Sequence, residues 1–242
     1  MGCNIQRLGS SGSYDYKTVT PWANRPVNWV SWGDAARFAN WLHNGQPTGA
    51  QDLTTTEDGS YYLNGATSDA SLVAVTRKTD ATWVIPTENE WYKAAYHKND
   101  GVTGNYWDYP TSSDSLPSND LINPDPGNNA NFSQDGYTIG NAFYRTPVGE
   151  FEKSESPYGT FDQGGNVWEW NEALIGSARG LRGGTFGYGS DRLLASGRNS
   201  GFPSGENAFM GFRVANVPEP GSIIMLAGIA LTALLYWWRK RA

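Results

Sequence analysis

Apolar positions recur at helical spacing in two stretches of the chain. In "SWGDAARFANWLHNG", Ala35, Phe38, Ala39 and Leu42 fall on one face, which predicts a helix over residues 32–44. Ser31 is placed to cap it, with Asp34 three residues on, where a carboxylate meets free N–H groups and the positive helix end. Gly45 ends it. In "TENEWYKAAYH" the device repeats: Thr87 and Glu90 form a T-x-x-E capping box, and Trp91, Ala94 and Ala95 form the buried face. Glu88 and Glu90 resemble a paired-carboxylate site, but capping and solvation explain them more simply.

Elsewhere the periodicity is short or absent. Residues 54–86 read as short strands turning at Asp58-Gly59 and Asn64-Gly65. Two more short strands are predicted near 180–186 and 210–216. Residues 99–146 are rich in Asn, Asp, Gly, Pro and Ser, yet Tyr106, Trp107, Tyr109, Phe132, Tyr137 and Phe143 are interleaved among them, which predicts long loops packed on a core. Eleven Trp, thirteen Tyr and nine Phe against 29 Gly and 13 Pro extend this picture to the whole chain: a loop-rich α+β domain held together by aromatic side chains.

Charge and cysteine usage narrow the chemistry. The 242 residues carry a formal charge of −6, and residues 1–217 hold 23 acidic and 15 basic groups, a net of −8. Phosphate binding needs a Lys/Arg surplus, so no nucleic-acid partner is expected, while calcium or neutral polar ligands suit an acidic surface. Cys3 is the one cysteine, which excludes an intrachain disulfide or a thiolate metal cluster, and the two histidines, His43 and His97, are far apart. The opening "MGCNIQRLGSSGSYDY" has no apolar signal region, and Gln6 stands where N-myristoylation wants Ser or Thr, so a gene start upstream of Met1 is expected.

The end of the chain is an address. Pro218, Glu219, Pro220 and Gly221 break structure, the sixteen residues from Ile223 to Trp238 are nearly all apolar, and Arg239, Lys240 and Arg241 follow. Sixteen is short of the roughly twenty that span a bilayer comfortably, but insertion with Trp237 and Trp238 at the interface and the basic end in the cytoplasm is the expectation. The order Pro-Glu-Pro, apolar helix, basic end resembles the PEP-CTERM sorting signal of Gram-negative bacteria that make extracellular polysaccharide. The resemblance implies export, anchoring in the inner membrane, processing by an exosortase, and delivery to the cell surface or extracellular matrix.

Five segments, "RPVNWVSWGDAARFANWL", "WVIPTENEWYKAAY", "YGTFDQGGNVWEW", "LRGGTF" and "MGFRVA", together resemble the formylglycine-generating enzyme family, also called the sulfatase-modifying factor domain, over most of residues 25–216. The family's opening "EVTN-x-x-Y" segment is missing. The resemblance implies a C-type-lectin-like fold for a domain at 1–216, followed by the sorting signal and its hydrophobic helix at 217–242. The family's enzymes oxidise a substrate cysteine with copper held by two cysteines lying between "GGS" and "GFR". Here that interval, Gly183 to Arg213, has none; the two positions fall near Ser190 and Ala195. Without thiolates copper is not expected, and no residue is assigned as catalytic. Iron-dependent sulfur-transfer relatives use three histidines from an added domain, and this chain has two.

In the same family the "GNVWEW" region forms a calcium site, and the matching positions are Asp162, Gly165, Val167 and Glu169, with Gly164 and Gly165 allowing a sharp turn. Two carboxylates and two carbonyls suit a hard ion. A second site would use Asn131 and the Phe132 carbonyl, with Asn141 nearest to its usual aspartate. The competing reading is that Trp168 and Trp170 build core while Glu169 pairs with an arginine such as Arg182 or Arg213. Three functions follow in order of expectation: an exported binding domain for a polysaccharide or protein ligand, with loops 99–146 and 186–207 as its contact surface; a formylglycine-type oxidase; and a structural matrix component.

Overall fold

The computed structural model describes residues 2–10 and 13–217. Contacts divide these described residues into two compact units, one of residues 2–10, 13–35, 66–74 and 85–213, the other of residues 36–65, 75–84 and 214–217. The first helix, α1 (Trp32–His43), begins in one and ends in the other.

The capping of α1 follows its sequence. The Asp34 backbone N–H donates to Ser31 Oγ (3.0 Å), and the Ser31 N–H donates back to the Asp34 carboxylate (2.9 Å). At the other end Gly45, at φ +78°, lets its own N–H reach Leu42 O and the Gln46 N–H reach Trp41 O, closing the last turn. The buried stripe is Trp32, Ala35, Ala36, Ala39 and Asn40. Phe38, expected inside, is 41% exposed. Asn40 takes the inward position because its amide binds the carbonyls of Thr56 and Tyr61 and accepts the Tyr61 N–H, each at 2.8 Å, so a polar side chain holds the loop against the helix.

The second unit is otherwise mostly turns. Glu57, accepting from Arg37, Gln51 and the Gly65 N–H, anchors the stretch where short strands were expected. Its strands are the two-residue β3 (Trp83–Val84) and β8 (Ala215–Asn216), paired antiparallel.

The first unit holds an exposed antiparallel hairpin, β1 (Ile5–Ser10) with β2 (Ser13–Thr18), and a short helix α2 (Asp69–Val73), capped by Ser68, that the sequence reading missed. The helix α3 (Glu88–Tyr96) carries the expected Thr87–Glu90 capping box, but its buried residues are Trp91, Ala95 and Tyr96, with Ala94 only half-buried. Its sheet runs β6 (Asn199–Gly201), β5 (Ala178–Arg182), β4 (Trp168–Ile175), β7 (Met210–Gly211), with only the β4–β7 pairing parallel. The strands foreseen near 180–186 and 210–216 are thus shorter, and β4, the longest, was not foreseen. Its first four residues are buried on both faces, so it shows no alternation.

Residues 97–167 form no helix or strand, only isolated bridges. Phe132 and Tyr109 pack inward with Ala130 and Leu193, while Tyr106 and Tyr137 stand out. The loop-rich, lectin-like α+β architecture is therefore borne out. Among the described residues no helix is long and apolar enough to cross a membrane; the anchor helix expected over 223–238 and the sorting residues Pro218, Glu219 and Pro220 lie outside the described residues.

Candidate functional site

Glu169 occupies the middle of the sheet, opposite Arg182 on β5 and Gly211 on β7. Trp168 and Trp170 on either side are core residues; the indole N–H of Trp170 donates to Val30 O (3.0 Å). The buried Glu169 carboxylate accepts from the Trp91 indole N–H (2.6 Å) and from both Nε and Nη2 of Arg213, a bidentate fork that fixes orientation as well as charge. Arg213 also donates to Phe161 O (3.0 Å), tying the start of the stretch to its end. Burial alone would lower the Arg213 guanidinium, but the charge and hydrogen bonds of Glu169 outweigh it and, with Asp162, hold it above its ordinary value.

Asp162 is different. Its carboxylate accepts the Gly149 N–H (2.7 Å) and lies 3.5 Å from the Asn166 amide nitrogen. Burial pushes its carboxyl up, and the Gly149 bond and Arg213 do not offset this, because Glu169 adds like charge. Asn166 joins it to Asn131: Asn131 Nδ2 donates to Asn166 Oδ1 (3.0 Å), and the Asn166 N–H donates to Asn131 O (2.8 Å). Gly165, at φ +79°, bridges to Asn131, and a Cβ there would collide with the Asn131 carbonyl. Asn131 Oδ1 is buried and has no hydrogen-bond partner.

These observations divide the expected calcium ligands. Asp162, with a raised carboxyl, and Asn131, with an unpartnered buried oxygen, suit a hard cation, and Gly165 and Val167 lie in the same turn-and-strand segment. Glu169 fits less well: both its oxygens already accept from Arg213, and one also from the Trp91 indole. For the second site, Phe132 O already accepts from Asn119 and Thr138 (3.3 Å each), and Asn141 is exposed on its loop.

The interval where the family's cysteine pair would fall is built around an arginine. Ser190 opens a single 3-10 turn, and Ala195 packs with Tyr92 on the buried cluster of Trp91, Ala95 and Tyr96. Arg182 Nη1 donates to the Ala195 and Gly197 carbonyls (2.9 and 2.5 Å), and the same guanidinium pairs with Glu88 (2.7 Å), which also binds the more exposed Arg198 (2.5 Å). Cys3 lies elsewhere, its thiol bonded to the backbone and side chain of Asn28. Of the two histidines, His97 is buried and His43 bonds Thr82. Among the described residues no three His, Cys, Asp or Glu side chains gather into a metal-binding group.

The sequence reading named Tyr106 among the loop aromatics but did not group it with Tyr92 and Tyr158, two further half-exposed tyrosines around α3. Tyr92 stands beside Tyr106 (5.1 Å between centroids), Tyr106 meets His97 edge-on (5.2 Å), and the Tyr158 hydroxyl bonds His97 Nδ1 (2.8 Å). Nothing in local periodicity marks them, since two come from loops.

Residues 1–218 match the sulfatase-modifying factor enzyme 1-like domain, and residues 216–241 match the PEP-CTERM protein-sorting motif. Among solved structures the chain is similar to Treponema denticola variable protein 1, with a TM-score of 0.55 at 22% identity over 81% of this chain and 73% of that one. It is also similar to CarF, with a TM-score of 0.54 at 20% identity over 90% and 76%. At these identities the likeness establishes fold alone. No curated protein sequence matches. The chain belongs to the sulfatase-modifying factor enzyme 1-like family and carries a PEP-CTERM motif, which implies export through exosortase.

Proposed function

We propose that this chain is a non-catalytic member of its family: a binding domain, sorted by an exosortase from the inner membrane to the cell surface or matrix, that holds a polysaccharide there. The observation that supports the reading is the set of Arg182–Glu88–Arg198 ion pairs in the interval where the resemblance puts the copper-binding cysteines. In this reading Ser190 and Ala195 stand near the two thiol positions, and the ion pairs lock the surrounding backbone. Soft Cu(I) has no ligand in such a setting, and a guanidinium repels it. The helices α1 and α3 and the four-stranded sheet that carry the family's segments are formed, which supports a retained binding role over a decayed fold. Calcium, in this reading, is a structural ion held by Asp162, Asn131 Oδ1 and main-chain oxygens of Gly165 and Val167.

The test pairs two measurements on the purified full-length chain. The first is retention on the host's extracellular polysaccharide, in calcium and in EDTA; saturable retention is expected. The second is incubation of a Cys-x-Pro-x-Arg peptide with the chain, copper and oxygen, read by mass spectrometry. Unchanged peptide is expected, and formation of formylglycine would overturn the non-catalytic reading. Saturable capture of a protein with no retention on polysaccharide would replace the ligand class.

A further inference from the structure

Tyr92, Tyr106 and Tyr158, which the sequence reading did not bring together, form a row with a fixed geometry. Tyr92 lies one helical turn after Glu88, on the face of α3 that carries the Glu88–Arg198 pair. Beside that first turn is a cleft of about 350 Å³ lined by Thr87, Glu88, Asn89, Glu172 and Ala173, within the size range of small-ligand sites. Tyr106 follows Tyr92, and Tyr158 follows across His97 (6.0 Å between rings). Tyr106 and Tyr158 are 38% and 39% exposed, so part of each side chain is open to solvent.

His97 holds this row from beneath. Its Nδ1 accepts the Asn99 backbone N–H (3.1 Å), which fixes the proton on Nε2, where it donates to Thr103 O (3.1 Å). Nδ1 is then also the acceptor for the Tyr158 hydroxyl. Tyr106 is tied to His97 by a backbone bridge as well as by ring contact. A ligand meeting these rings therefore has little side-chain entropy to remove.

We propose that Tyr106 and Tyr158, with the cleft at the start of α3, form the binding track for a neutral polysaccharide, a sugar ring stacking on each of the two, while Tyr92, packed against Tyr96 and Tyr106 with Arg182 over its ring, supports them. This deepens the polysaccharide reading above and rests on it. Half-exposed rings with polar neighbours match a sugar, which offers an apolar C–H face and a hydroxyl rim; a protein hot spot would instead want a fully desolvated anchor. The net charge of −8 over residues 1–217 opposes a polyanion, and Glu88 and Asn89 in the cleft, with Arg198 paired to Glu88 beside it, offer both acceptors and donors for hydroxyls.

The experiment uses the full-length chain in mild detergent, with affinity electrophoresis through gels containing dextran, amylose, mannan or, as a polyanion, alginate. Retardation by at least one neutral polymer is expected. Tyr106→Ala and Tyr158→Ala should each weaken it about 5- to 10-fold, as loss of a stacking ring implies, and the double variant should abolish it. Tyr16→Ala, at an exposed aromatic on the β2 hairpin and off the row, should leave it unchanged. Should an alanine variant fail to fold, Tyr106→Leu keeps apolar bulk without the flat face and should still bind weakly. Neutral-polymer binding that survives the tyrosine variants would overturn the track and leave the polysaccharide reading standing. No retardation by any neutral polymer, or retardation by alginate alone, would overturn both.

Discussion

Asp125 and Asp162 lie in the same loop-rich stretch, and their surroundings give them opposite characters. Asp125 is fully buried and its two oxygens accept from the Gly127 and Lys153 N–H groups, Ser154 Oγ and the Asn129 amide, at 2.5–2.9 Å. Burial alone would raise its carboxyl, but these donors outweigh it and hold it below the usual carboxylate range. Asp162 has one good donor, a guanidinium already committed to Glu169, and a raised carboxyl. The first is a finished structural knot that staples residues 125–129 to 152–154. The second has unspent acceptor capacity, which makes it the better cation ligand although both are aspartates in Gly-rich turns.

The largest expected effect comes from the ion pair beside Asp162. Glu169→Ala strands a partly buried Arg213 and the Trp91 indole, and should cost about 3–5 kcal/mol in urea unfolding. A loss under 1 kcal/mol would mean Arg213 re-pairs with Asp162, and the two carboxylates would then be interchangeable. Next, Asp125→Ala removes the common acceptor of four donors and should cost about 3 kcal/mol, whereas Asp162→Ala should cost less than about 1 kcal/mol. Equal losses would erase the distinction between knot and open site.

The pH dependence has opposite signs at the two residues. For Asp125, lowered from 3.8, the stabilisation is present above that value and is lost as pH falls through the folded value. For Asp162, raised from 3.8, the favourable contribution is complete only below 3.8 and is lost as pH rises through the folded value. Unfolding curves between pH 7 and pH 2 should show the wild type losing its advantage over Asp125→Asn on acidification, and gaining relative to Asp162→Asn. Parallel pH profiles for the two variants would contradict both environments.

How much of this was legible depended on how local each interaction is. The capping boxes of Ser31 with Asp34 and Thr87 with Glu90 span three residues, so their spelling is their structure. The fold came from five segments in order. The partner of Glu169 was narrowed to Arg182 or Arg213 but not chosen. Arg182 is directly across the strand pair yet turns to Glu88, and Arg213 reaches Glu169 from beyond the parallel strand β7. Phe38 was misplaced because Asn40, bound by three backbone groups from a distant loop, overrode the apolar pattern. The tyrosine row escaped notice because it exists only once residues 92, 106 and 158 are folded around a buried histidine.

The smallest effect is the most discriminating for calcium. At a free concentration tenfold above the dissociation constant, an ion bound only by the folded chain adds about 1.4 kcal/mol, a shift of a few degrees in melting temperature. Wild type and Glu169→Gln should both show a calcium-dependent rise, because Glu169 is committed to Arg213 and is no ligand. Asp162→Asn should melt close to the calcium-free wild type, since losing a raised carboxylate costs little, and should not respond to calcium. Loss of the response in Glu169→Gln alone would restore that carboxylate as the ligand. A response unchanged in Asp162→Asn would place the ion away from this turn, and the open acceptor capacity of Asp162 would then serve Arg213 alone.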